Sequence, residues 1–396
     1  MTTITEGMTP AEFIVALNAN FAEIKFNAQS ITTILAAHGF SQINTNFTTI
    51  NDVIPQPPIP SVSSIVAGMS GSSFANSINQ NFVILKNAPL NLMRDFSGLT
   101  RYAGNPIIPP GVYSWGTVTQ IDPPYVRYEN KIGNTWYAPL QATETPGEFN
   151  HIALFVSTDL ITWVEHPVNP IIITNTPGNW DDHFLMHPSV IKVGDLWYMY
   201  YGGMTSTNWH QIGLATSPDF INWTKYGSSP IFTKAQNNGN HGDIPCVIKI
   251  GNIYYMYYMS WLVDYSVATI CYATSSDGLI WTYGGICLKT NPSDWTIGHG
   301  IIDTWVIQRS DGLYEMTFST SHIVGDPQRI GYALSYDAIH WWMKNSVVLA
   351  PTGIPGDWDS QYIGDDVLLE KPDGTTYLYY AGVADDSRAG GGLVIL

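Results

Sequence analysis

Residues 157–163 read STDLITW, and the phrase S-x-D-x-x-x-W returns as SPDFINW at 217–223, SSDGLIW at 275–281 and SYDAIHW at 335–341. The closing tryptophans, Trp163, Trp223, Trp281 and Trp341, stand 60, 58 and 60 residues apart. So even a period means one supersecondary unit repeated, and the repeat decides the fold before any single residue is weighed.

Outward from each phrase the unit is all β. Strands reading TWYAPL, LWYMYY, IYYMYY, LYEMTF and TYLYYA each follow a tight turn: Gly133-Asn134, Gly194-Asp195, Gly251-Asn252, Asp311-Gly312 and Asp373-Gly374. Such turns between apolar runs mark hairpins. A third strand then leads into the S-x-D phrase as HIALFVS, QIGLATS, TICYATS and RIGYALS, with GGLVIL as its counterpart at the C-terminal end. Four strands per unit, five times over, predict a mainly β protein with a five-bladed β-propeller at 91–396. The fifth unit stops at its third strand. Residues 95–108 carry the missing piece, because Asn105-Pro106-Ile107-Ile108 matches Asn169-Pro170-Ile171-Ile172. The start of this domain is therefore expected to supply the last blade's outer strand and leave no open sheet edge.

A residue found in every blade is more readily architecture than chemistry. Asp159, Asp219, Asp277 and Asp337 are expected to satisfy turn backbone, and the tryptophans to pack between blades. The spacing also differs from S-x-D-x-G-x-x-W, the Asp box of sialidases.

Residues 1–90 follow another grammar. The phrase [LI]-N-x-N-F-x-x-[IL] occurs at 17–24, 43–50 and 78–85. Phe13, Leu17, Phe21 and Ile24 fall at helical spacing, behind a helix start at Thr9, Pro10 and Glu12. Short amphipathic helices cannot bury their stripes alone, which predicts a small α-helical domain that packs on copies of itself or on a larger assembly. This region resembles the N-terminal anchoring segments of bacteriophage virion proteins such as tail and head appendages. The resemblance implies virion localisation and other virion proteins as partners, and the low-charge helical repeats themselves favour a homo-oligomer.

The formal charge of −16 comes from only 16 Lys and Arg against 32 Asp and Glu, which argues against nucleic acid or an anionic membrane as partner. No basic-then-apolar leader and no membrane-length apolar run is visible. Cys246, Cys271 and Cys287 lack zinc or disulfide spacing and read as buried thiols.

In a propeller, inner-strand starts and the loops between second and third strands meet at one face. Asp122, His187, Asp243, Asp303 and Asp365 stand near those starts, with Asp182, His183, His241 and His299 just upstream. Carboxylates converging on one axis repel one another and raise pKa values, which suits proton transfer or a cation on the axis. No other cofactor is expected. The phrases P-x-V-x-K, YYMYY, IGLATS-x-D and P-I-[IF] resemble the five-bladed glycoside hydrolases of families 43, 32 and 130 over residues 92–396. The resemblance implies Asp122, before Pro123, as base or nucleophile. It puts Asp243 where the family carries a general-acid glutamate, and His187 near an auxiliary aspartate. An acid one C–C bond short is a departure from the pattern, and Glu144 and Glu148 are alternates. Glycoside hydrolysis needs two carboxyls at a defined separation.

The loops add Trp209, His210, Trp261, Tyr265, His322, Arg329, Asp385, Asp386 and Arg388. Their aromatics suit stacking on a sugar ring, and their arginines suit a carboxylated sugar. Three functions are thus expected in turn: a virion appendage whose glycosidase-like propeller recognises surface carbohydrate, an active glycoside hydrolase, or a purely structural virion protein.

Overall fold

The computed structural model describes residues 92–144, 150–174, 178–205, 210–261, 268–290, 294–321, 326–384 and 389–396. The chain divides into Met1–Arg94 and Asp95–Leu396. The helical region expected at 1–90 lies outside the described residues. Among the described residues no helix is long and apolar enough to cross a membrane.

The second unit is a succession of antiparallel meanders. Three are four-stranded sheets that begin at the inner strands Phe184–Val193, His241–Ile250 and Ile301–Gln308. A nine-stranded sheet holds two more meanders, which touch through one parallel contact, Ala389↔Gln120. One of them runs Tyr362–Glu370, Thr376–Val383, Ala389–Ile395. The other runs Gln120–Ile121, Thr135–Thr143, Asn150–Ser157, Val164–Glu165. Thr100 and Arg101 pair with Ile395 and Val394, so a strand from the start of the unit lies beside its last one. Asn105 ties the same seam, donating from Nδ2 to Leu393 O and accepting from Leu393 N.

The sequence explains these strands. Runs such as TYLYYAGV are buried on both faces, which is why they read as continuous apolar stretches rather than alternating ones. The hairpin glycines Gly133, Gly194, Gly251, Gly312 and Gly374 all have positive φ, a region that costs other residues a steric penalty.

The S-x-D phrase is a turn device. Asp159 Oδ1 accepts from Ile161 N and Thr162 N at 2.8 and 2.7 Å and from the Ser157 hydroxyl at 2.9 Å. Asp219, Asp277 and Asp337 repeat this pattern. The next residue turns left-handed, and in three of the four phrases its carbonyl is latched by a tyrosine from the neighbouring meander, while Phe220 O accepts from Trp223 Nε1. Tyr200 donates to Gly278 O, Tyr257 to Ala338 O and Tyr379 to Leu160 O at 2.9, 2.7 and 2.7 Å. The same tyrosines meet Trp281, Trp341 and Trp163 edge to face. The repeated phrase therefore joins meanders, and the last latch joins the fifth to the first.

All five meanders contribute to one central cavity of about 420 Å³, lined by Glu129, Lys192, Lys249, Gln308 and Glu370 among others. Arg127 is among the residues that line it. Its guanidinium donates to Val306 O at 3.0 Å, approaches Cys246 Sγ at 3.0 Å and lies 4.4 Å over the Trp305 ring. This buried tie spans three meanders across the axis. Cys246 and Cys271 are buried free thiols, and Cys287 is half-buried.

Candidate functional site

Four inner strands carry a bulge at the same place. Register shifts fall opposite Tyr200/Gly202, at Asp243/Cys246, Ile302/Thr304 and Gly364/Val367. The residue at each bulge has positive φ: His187 at 49°, Ile244 at 54°, Asp303 at 42° and Asp365 at 51°. Such a conformation costs a non-glycine residue of order 1 kcal/mol or more, and bulges re-aim side chains. His187, Asp303 and Asp365 are brought together in this way. The third repeat differs from the expectation of one shared position. Its bulge residue is Ile244, aligned with His187 by the prolines that follow, Pro245 and Pro188, and Asp243 stands one place earlier. Asp122 lies just beyond the short strand Gln120–Ile121, anchored by its N–H to Gln141 O at 3.1 Å.

These residues form a buried cluster. Ligand atoms of Asp122, His187 and Asp365 lie within 4.8 Å of one another, close enough for one cation to bridge them. His187 Nε2 is 2.9 Å from Asp365 Oδ1. Asp303 Oδ2 accepts from Asp365 N at 3.1 Å and from Gln328 Nε2 at 3.4 Å. Tyr125 donates to Asp122 Oδ2 at 3.2 Å and sets its ring edge against His187. Beside them Asp243, only 1 % exposed, has Oδ2 2.6 Å from His210 Nδ1. A Cβ added to Gly202 would lie 1.7 Å from Asp243 Oδ1, so this carboxylate rests directly on the glycine.

Burial and crowding drive the titrations apart. Burial, then the charge of Asp365, pushes Asp122 well above the usual carboxyl range. The same two causes carry Asp303 up to about 8. Burial carries Asp366 up to about 7, although Ser319 donates to it at 3.0 Å. For His187 burial opposes the charge, but the bond and charge of Asp365, with Asp243 and Asp303, lift it to about 10. Asp243 is the exception. Burial works against its ionisation, yet His210 and His187 hold it below the ordinary value. The cluster thus keeps protons on some carboxyls and withholds one from another, the arrangement acid–base chemistry requires.

Other expected groups lie elsewhere. His299 and Arg329 do meet, but through Asp326. His299 Nε2 is 2.9 Å from Asp326 Oδ2, Arg329 pairs with Oδ1, and His299 Nδ1 is 2.7 Å from Ser321 O. Asp326 thus holds both side chains together. Trp261 is half-buried against the core, opposite His241, rather than presented for stacking. Glu144 faces His151 at 3.5 Å and lies against Gly116 instead of turning into the cluster. Asp182 accepts from Gly178 N at 2.7 Å, and His183 packs on Phe184. Trp209, Arg388, Glu148, Tyr265, His322, Asp385 and Asp386 lie outside the described residues. Asp366, Gln328, Tyr125 and Gly202 were not singled out as site groups from the sequence. Only the doubled acid Asp365-Asp366 hinted at one of them.

With this geometry in view, comparison with known proteins is informative. No protein-family model matches the chain. The uncharacterized protein Rv1502 of Mycobacterium tuberculosis is 27% identical over 243 residues, covering 58% of this chain and 77% of that protein. A Thermoanaerobacter protein named 1,2-beta-oligomannan phosphorylase is 23% identical over 232 residues, covering 55% of this chain and 71% of its own length. The crystal structure of a thermostable family-43 glycoside hydrolase matches with a TM-score of 0.54 at 21% identity, over 71% of this chain and 90% of that one. The fold is one that glycoside hydrolases share.

Proposed function

We propose that the five meanders are the blades of one propeller, and that the carboxyl cluster at one end of its axis cleaves a glycosidic bond. The observation that carries this reading is the convergence of Asp122, His187 and Asp365 within 4.8 Å, with Asp243 and Asp303 beside them. Glycosidic cleavage needs one carboxyl to give a proton and another to receive one or to attack. The names borne by the Thermoanaerobacter relative and the family-43 structure support a carbohydrate substrate. Local charge favours Asp122 as the proton donor and Asp243 as the ionised partner, the reverse of the roles the family resemblance implies. His187 and Asp365, the more exposed members, face the substrate.

A binding-only reading has one observation in its favour. The third blade's bulge carries Ile244, and the acid before it is an aspartate held by His210. The test is release of reducing ends from a panel of bacterial surface polysaccharides by wild type and by Asp122→Asn. Release by wild type alone supports cleavage. Binding without release supports recognition only. From the resemblance of residues 1–90 we also propose display on a phage particle as a homo-oligomer, with those residues contacting other virion proteins. Mass spectrometry of purified particles and light scattering of the isolated protein test this.

A further inference from the structure

The axial cavity holds chemistry that the carboxyl cluster does not use. Its lining residues come three to seven places after Asp122, His187, Asp243, Asp303 and Asp365 on the same inner stretches of chain. A strand advances about 3.3 Å per residue, so cavity and cluster stand on the order of 10–20 Å apart. Arg127 belongs to the cavity wall and is 6 % exposed. Its Nη1 donates to Val306 O and its Nη2 to Cys246 Sγ, while Nε is buried with no acceptor among the described residues. Arg101, Lys225, Arg309, Arg329 and Lys371 pair with carboxylates among the described residues, and Arg127 does not. Cys246 supplies no counter-charge, because burial pushes its thiol up and keeps the proton on. Asp366 acts on that thiol, but its carboxyl accepts from Ser319 at 3.0 Å instead of meeting the guanidinium. A buried cation is costly without a negative partner.

The rest of the wall points the same way. Lys192 and Lys249 line the cavity, their ammonium groups 5.1 Å over the Trp197 and Tyr254 rings. Glu129 and Glu370 line it too, Glu370 accepting from Ser310 Oγ at 3.2 Å. The wall therefore sets three cations against two acids, in a chain whose net charge is −16. A local positive excess on so acidic a background gathers an anion where the rest of the surface repels it.

We infer that this cavity binds one small oxyanion, a carboxylate or an inorganic phosphate or sulfate, through the Arg127 guanidinium with Lys192 and Lys249 beside it. A planar guanidinium fork suits oxyanions of all these kinds. The bound anion gives the buried tie its charge partner and stabilises the folded chain by mass action. The site asks nothing of the carboxyl cluster, and it stands whether or not that cluster cleaves glycans.

The test uses the full chain in Tris chloride, free of other oxyanions. Acetate, phosphate and sulfate are titrated by calorimetry, and nitrogen-15 labelling of arginine follows the Arg127 Nε–H by NMR. Binding should move that resonance, and the anion bound most tightly separates a carboxylate from an inorganic source. Lys192→Gln with Lys249→Gln changes two exposed side chains, so the fold is kept; affinity should fall about tenfold, and the gap should narrow with salt. Arg127→Gln should abolish binding where it folds, and the lysine variant decides the matter where it does not. No binding heat from any of the three anions would overturn the inference. So would binding that leaves both the Arg127 resonance and the lysine variant's affinity unchanged. Binding that disappears in His187→Ala but survives in the lysine variant would put the anion at the cluster and overturn it as well.

Discussion

Gly202→Ala is the sharpest perturbation the structure offers. The new methyl group would sit 1.7 Å from Asp243 Oδ1, where contacts under 3.0 Å are essentially never found. The carboxylate must retreat by about 1.3 Å, the difference of those two distances. It has little room, being 1 % exposed with Met186 Cγ also 3.1 Å from the methyl position. Retreat stretches the 2.6 Å contact to His210, a charge-assisted bond of a kind that contributes about 1.5–3 kcal/mol. For a unit this large each kcal/mol shifts the melting temperature by about 2–4 °C. Misplacing a reacting group by about 1 Å costs on the order of 10²-fold in rate. Melting temperature and reducing-end release are therefore read together, with the His210 ring followed by NMR. Should the variant melt within about 1 °C of wild type, keep its His210 resonances and cleave within about threefold, the account of Asp243 would be wrong.

Asp122→Asn should keep the fold and lose at least about 10²-fold in turnover, because amide nitrogen cannot give up the proton the step needs; circular dichroism beside the rate assay checks both halves. His210→Ala should move the acid limb of the pH–rate profile upward, since it removes a charge that keeps Asp243 ionised below its ordinary value; an unmoved limb would refute that role. Tyr379→Phe leaves Leu160 O buried without its latch and should cost about 1–3 kcal/mol in denaturant melts, with little change at the axis. Stability should fall as pH rises. Asp366 and Asp303 bind protons more tightly folded than unfolded, so their contribution is whole below about 3.8 and is lost through about 7 and 8. The share due to His187 is whole below about 6.5 and is lost through about 10. A melting temperature that climbs between those limits would contradict the cluster's electrostatics.

What the sequence made legible was local. The S-x-D-x-x-x-W turn closes its hydrogen bonds within three residues, so its purpose could be read from spacing alone. The match of Asn105-Pro106-Ile107-Ile108 with Asn169-Pro170-Ile171-Ile172 likewise pointed to the seam where Thr100 meets Ile395. What stayed hidden spans the chain. The Tyr379–Leu160 latch joins residues 219 apart, and Arg127 meets residues 119 and 179 positions away. The site was half legible. Asp122, His187, Asp303 and Asp365 could be singled out because each stands at or near an inner strand's first residues. Asp243 reads as their equivalent, but the prolines at 188 and 245 align His187 with Ile244, which is the third repeat's bulge residue. Gly202 resembled any glycine of a strand until the carboxylate lying on it was seen. Nothing in the spacing of Arg329 and His299 announced that Asp326 holds both.

The tie made by Arg127 sets a direction for traffic. By binding three meanders together two residues past Tyr125, it would give the axis of the proposed propeller a floor, so that nothing enters on one side and leaves on the other. A polymer could not thread such a passage and would have to offer an end or a side branch. The fragment set free would then depart by the route the next chain needs, and accumulated product should slow the reaction as a competitor for the mouth.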